Sequence, residues 1–137
     1  KVLVLAGFQD FDEVFLITYL KRMNKLLNVL VQKFGIDSIG VKWHPQYPVD
    51  YKFEMEFQLV PKYLPANLIL NKFDIVCGHN SALLFEAANE GCLAISTIDY
   101  CVENDPNANF REYLKSNLID GKKIHFIKTL DELLAIL

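Results

Sequence analysis

An α/β domain built on a parallel sheet, with helices on both faces, is the fold class this sequence predicts. Three observations carry that expectation. "VLVLAG", "FDIVCG" and "CLAIS" are short, continuous apolar runs ending at or near small residues, the pattern of strands buried on both faces. Between them lie stretches with apolar residues three and four apart, the period of helices. Strand and helix patterns alternate along the whole chain, which favours a parallel sheet over an antiparallel one.

The elements follow in order. "VLVLAG" is the first strand. From Asp12 the pattern turns helical: Phe15, Leu16, Tyr19, Leu20, Met23, Leu27, Leu30 and Phe34 share one face, with Asp10 and Asp12 as candidate N-caps and Gly35 as the stop. "SIGVKW" is a second strand. "EMEFQLV" alternates and predicts a short strand nearer an edge. Pro65 opens a short helix, "PANLILNK". "FDIVCG" is the next buried strand, "SALLFEAANEG" a helix with a glycine stop, and "CLAIS" a strand. "NFREYLKSNL" predicts a helix, "KIHFI" a strand, and "LDELLAIL" a closing helix capped by Thr129. The whole, residues 1–137, reads as a single Rossmann-like domain with neither an internal repeat nor a low-complexity linker.

Composition narrows the function classes. The 137 residues are 52% hydrophobic with six glycines and five prolines, the make-up of a packed globular chain. The net charge of −3 and the absence of a basic stripe argue against a nucleic-acid binder. The longest apolar run, "VFLITYL", is too short to span a bilayer and runs into Lys21 and Arg22. Three cysteines, Cys77, Cys92 and Cys101, are odd in number and lack zinc-ligand spacing, so they read as structural thiols in a reducing compartment. The sequence opens at Lys1 already inside a strand pattern, which reads as a fragment or a processed chain and keeps a missing partner domain in view.

In open parallel sheets ligands bind outside the carboxyl ends of the strands, near the switch in strand order. That rule selects the candidate residues. After the first strand comes "AGFQDFDE", where Gly7 permits close backbone approach and Phe8 and Gln9 flank it; neither a GxGxxG nor a Walker pattern is present. After the second comes "KWHPQYP": Pro45 biases His44 towards an extended conformation and so aims an imidazole that can donate to a phosphate or protonate one as it leaves. After the central strand comes "GHNSALLFEAANEG", in which Gly78 ends the strand and Asn80 or Ser81 caps the helix. A serine there serves an anion or merely its own helix. His79 is the second imidazole, with a turn towards solvent left open on this reading; His125 lies inside a strand and reads as structural. Glu86 and Glu90, one turn apart, read as a solvated face. Asp99 and Tyr100 follow a strand end and could border a ligand. No set of histidines and carboxylates has metal spacing, so no protein-held metal and no cofactor is expected.

Taken together, "KWHP", "VPKYLPANLIL" and "GHNSALLFEAA" occur in the order of three landmarks of bacterial sialyltransferases with the two-domain GT-B architecture, including lipooligosaccharide sialyltransferases and capsular polysialyltransferases. The chain resembles the nucleotide-binding, C-terminal half of such an enzyme. The resemblance implies a donor site for CMP-sialic acid in an inverting transferase acting on a bacterial surface glycan. It implies that His44, with Pro45 behind it, bonds the phosphate and assists departure of CMP. Ser81 would bind the same phosphate, and Asn80 stands where many members carry another serine. Asn67 stands where a glutamate commonly holds the ribose hydroxyls; Gly7, Phe8 and Gln9 would border the donor, with Gly78 and His79 beside the phosphate helix. The glycan acceptor and the general base belong to the other domain. The resemblance also implies a cytoplasmic enzyme, with peripheral association at the inner face of the membrane. Two alternatives stay open: a GT-B domain for another donor such as a UDP-sugar, favoured by the Asn67 departure, and a non-catalytic Rossmann-like binding domain.

Overall fold

A computed structural model describes residues 1–7, 13–45, 52–79, 81–101 and 109–137, the side chains of 13–15, 66, 109 and 110 excepted. Asp10 and Asp12, the expected caps of the first helix, lie outside the described residues. Strands β1 (Val2–Ala6), β2 (Ile39–Trp43), β3 (Gln58–Leu59), β4 (Ile75–Gly78), β5 (Leu93–Ser96) and β6 (Ile124–Phe126) form one sheet in the order β3-β2-β1-β4-β5-β6. Every pairing is parallel. The fold is therefore the Rossmann-like α/β arrangement expected from the alternation of patterns. The strand order reverses between β1 and β4, which is where such sheets open a crevice.

Helices α1 (Glu13–Phe34), α2 (Leu83–Asn89), α3 (Ile98–Cys101), α4 (Asn109–Ser116) and α5 (Leu130–Ile136) cover the sheet. Side-chain alternation along β1 divides the core into two layers. Val2, Val4 and Ala6 join Ile39, Val41, Trp43, Cys77 and Ile95 on one face, against Tyr19, Met23, Leu26, Leu27 and Leu30 of α1 and Leu133 of α5. Leu3 joins Val76, Ala94 and Ile124 on the other, against Leu84, Ala87 and Ala88 of α2 and Leu114 of α4. Gly35 ends α1 at φ 85°, a left-handed conformation that favours glycine. Thr129 Oγ1 accepts the Glu132 N–H at 3.1 Å while the Glu132 carboxylate accepts the Lys128 N–H at 2.7 Å, so α5 starts from reciprocal capping.

Three elements differ from expectation. "EMEFQLV" pairs with β2 through Gln58 and Leu59, with the Val60 N–H donating to the Val41 carbonyl at 2.8 Å, and Pro61 lacks the N–H to continue. "PANLILNK" forms two 3₁₀ turns, Ala66–Leu68 and Leu70–Lys72, in place of a helix. The four-residue helix α3 after β5 was not expected. Among the described residues no helix is long and apolar enough to cross a membrane.

Candidate functional site

The alternation that divides the core also builds the site. In β2, Trp43 faces α1 and stacks on Phe53 with ring centroids 5.3 Å apart. Lys42 is paired with Leu5, on the α2 side of the sheet, and His44, two residues on, continues that side. The His44 N–H donates to the Ala6 carbonyl at 3.0 Å and so carries the β1–β2 ladder one residue past the strand. Gly7 and Gly78 follow β1 and end β4 on the same rim. A side chain at Gly78 would stand 3.2 Å from Leu5 Cδ1, so glycine there leaves room for the side chain of its partner on β1.

Along α2, Leu84, Ala87 and Ala88 pack on the sheet, as the spacing predicts. The next face of the helix, Ala82, Leu83 and Glu86, meets the strand ends. The result is a cavity of about 300 Å³ whose lining includes Gly7, Lys42, His44, Pro45, Tyr63, His79, Ser81 and Glu86. Six of the ten expected site residues are thus gathered in one place: Gly7, His44, Pro45, His79 and Ser81 in the lining, and Gly78 beneath α2. Phe8, Gln9 and Asn80 lie outside the described residues. Asn67 lines a separate recess with Leu70, Glu86, Asn89, Glu90 and Ile119, on the other side of Glu86.

Charge in the cavity is arranged unevenly. Lys42 is only 5% exposed and its Nζ donates to the Lys62 carbonyl at 2.7 Å; burial pulls its pKa below the ordinary lysine value. His44 opens to the cavity, yet desolvation first, then the Lys42 and Lys62 cations, hold its pKa below the ordinary histidine value. An imidazole so placed is neutral near pH 7 and gains a proton readily only when an anion arrives. Ser81 does cap its helix: its Oγ accepts the Leu83 N–H at 3.2 Å and its carbonyl accepts the Leu84 N–H at 3.0 Å. Those backbone groups are consequently used locally, and the hydroxyl proton of Ser81 is what remains to meet an anion. Gly7, at φ 122°, commits its N–H to the Tyr19 hydroxyl at 3.0 Å.

Several secondary candidates resolve. His79 does not turn to solvent; it is 2% exposed, and burial depresses its pKa to about 3, partly offset by the Thr97 backbone. It lines the cavity as a neutral ring. Asp99 forms an ion pair with Arg111, and the Tyr100 hydroxyl donates to the Arg22 carbonyl at 2.9 Å, so both serve the packing of α3. Burial pushes the Cys77 and Cys101 thiols up to about 12, and raises Cys92 as well, which leaves them unreactive. Among the described residues no group of three or more His, Cys, Asp or Glu side chains could hold a metal ion.

Sequence reasoning overlooked Lys42 and Tyr63, and read Glu86 as part of a solvated face although it lines the cavity. A lysine inside a doubly covered strand, two residues before His-Pro, was the available signal for the first. For Glu86 the signal was helical spacing, since Leu84, Ala87 and Ala88 claim the sheet face and turn Glu86 aside from it. Tyr63, 80% exposed at the cavity rim, carried none. No protein-family model matches the chain, and neither a curated protein nor a solved structure shows significant similarity to it.

Proposed function

We propose that this chain is the donor-binding domain of an inverting sialyltransferase, and that its cavity takes CMP-sialic acid with the phosphate between His44 and Ser81. One observation carries the reading: His44, Ser81 and the buried Lys42 line a single cavity at the strand-order switch. In sialyl transfer the bond from the anomeric carbon to the phosphate oxygen breaks and its electron pair stays with that oxygen. Charge therefore collects on the departing CMP phosphate as the sugar becomes oxocarbenium-like. Donors fixed there bind the transition state more tightly than the ground state, which lowers the barrier. His44, drawn towards the imidazolium form by the arriving phosphate, supplies the proton or a charged hydrogen bond; Ser81 supplies a neutral one. Activation of the acceptor hydroxyl belongs to a second domain, so this chain by itself binds donor without transferring it.

CMP is expected to raise the melting temperature of this chain more than UDP or GDP does. In the full-length enzyme His44→Ala is expected to lower kcat/KM by roughly 10²-fold or more. Equal or absent protection by the three nucleotides overturns the CMP assignment. A second reading, a UDP-sugar donor, is favoured by the position of Asn67 outside the cavity; greater protection by UDP than by CMP would establish it.

A further inference from the structure

A lysine is rarely as buried as Lys42 unless a carboxylate pairs with it. Lys42 is 5% exposed, and among the described residues its polar partner is a neutral group, the Lys62 carbonyl, which accepts from Nζ at 2.7 Å. Taking an ammonium from water without an opposite charge favours the free amine, and burial does lower the Lys42 pKa. The side chain is not sealed in the core: it lines the cavity at the strand ends. The other titratable side chains of that lining are His44, Tyr63, His79 and Glu86, while Leu5, Leu64 and Leu83 keep part of the wall apolar.

A desolvated lysine amine in a cavity is a nucleophile, and its characteristic electrophile is a carbonyl carbon. The bond to the Lys62 carbonyl holds Nζ in place and uses one N–H, which leaves the lone pair of the neutral amine free to attack. His44 lies two residues further along the same side of β2, roughly 6.6 Å away between Cα atoms, and Ser81 faces the same space. A small carbonyl compound with an anionic group a few atoms from its carbonyl carbon therefore meets both features at once. We infer that Lys42 is a carbonyl-reactive amine, and that the cavity takes phosphorylated aldehydes or ketones and holds them as imines. The amine lone pair forms the new C–N bond while the carbonyl π pair moves to oxygen, giving a carbinolamine. Its C–O bond then breaks as the nitrogen lone pair forms C=N. Both hydrogens of the departing water come from the amine, carried across by solvent or by the neutral His44 ring, so no oxidant or reductant is consumed. The proposal shares with the donor reading only the anion seat at His44 and Ser81, and it needs no nucleotide.

Pyridoxal 5′-phosphate and pyridoxal, aldehydes that differ in the phosphate, serve as probes. Each is mixed with the chain in equimolar amount at neutral pH, imines are trapped with borohydride, and the modified lysines are located by peptide mass spectrometry. Pyridoxal 5′-phosphate is expected to modify Lys42 about tenfold or more faster than it modifies any other lysine, and faster than pyridoxal modifies Lys42, because a seated phosphate makes the attack effectively intramolecular. Inorganic phosphate is expected to slow modification of Lys42 and to leave the exposed lysines unaffected. Lys42→Arg keeps the charge but cannot form an imine, and is expected to lower the imine absorbance to the level of the exposed lysines. If that variant does not fold, the peptide map of the wild-type chain carries the test. Modification spread evenly over the lysines overturns the role of Lys42; where CMP still protects the chain selectively, the donor reading stands. Modification of Lys42 at equal rates by the two aldehydes, or at a rate that inorganic phosphate does not change, overturns the phosphorylated ligand.

Discussion

His44 is tuned by what surrounds it more than by its own chemistry. Cavity walls remove water from one side of the ring, and two lysines disfavour a third positive charge. An anion reverses both influences by attracting the proton, so its binding must raise the His44 pKa. Between the free and bound pKa values, affinity for CMP is expected to strengthen as pH falls, because binding takes up a proton there. Imidazole NMR signals followed from pH 8 to 5, with and without CMP, measure both values. Lys42→Met removes one cation at little change in length. It is expected to move the free His44 pKa back towards 6.5 and to weaken CMP binding about five- to tenfold; an unmoved His44 would show that Lys42 does not act on it. His44 was legible in the sequence because Pro45 constrains its backbone. Lys42 and Glu86 each carried a signal, a charge in a doubly covered strand and a helical position off the sheet face, but neither pattern shows that the two residues line one cavity.

Among the elements, strands were easier to read than the segments between them. Continuous apolar runs identify strands covered on both faces, and β1, β4 and β5 came out within two residues. "PANLILNK" misled because a proline suits the first turn of a helix and the apolar residues Ile69 and Leu70 that follow it are buried. Two asparagines and an opening proline in eight residues leave too little helical preference to meet the cost of nucleation. "EMEFQLV" truly alternates: Phe53, Met55 and Phe57 are half-buried between exposed neighbours. Yet alternation reports burial, whereas a strand needs a partner, and the Glu54 N–H goes to Asn24 Oδ1 of α1. The packing between the paired residues Leu5 and Gly78 of β1 and β4 is testable at Gly78. A methyl there meets Leu5 Cδ1 at 3.2 Å and Leu5 Cβ at 3.3 Å, so Gly78→Ala is expected to destabilise the fold by about 1–3 kcal/mol. Urea unfolding checks this, and a stability equal to wild type would mean that the Leu5 side chain can give way without cost.

For the molecule as a whole, the buried imidazole of His79 couples stability to pH. Its folded pKa, about 3, lies below the ordinary 6.5, so folding favours the neutral ring. The stabilisation is full above pH 6.5 and is lost as pH falls from there towards 3. At pH 4.5 the loss amounts to roughly 2–3 kcal/mol. Denaturant titrations at pH 7.5 and 4.5 are expected to differ by about that much, and His79→Gln to reduce the difference. An unchanged difference would assign the acid sensitivity to other groups.

The strand order also dictates the sequence in which the sheet can be completed. β1 lies between β2, at Ile39–Trp43, and β4, at Ile75–Gly78. A chain growing from its amino end can pair β1 with β2 early, but the other edge of β1 stays an open row of N–H and C=O groups until β4 emerges. During that interval the half-sheet is a template for any extended segment nearby. Arrival of β4 therefore does two things at once: it closes the vulnerable edge, and it brings Ser81 and Glu86 to the rim where Gly7 and His44 already wait.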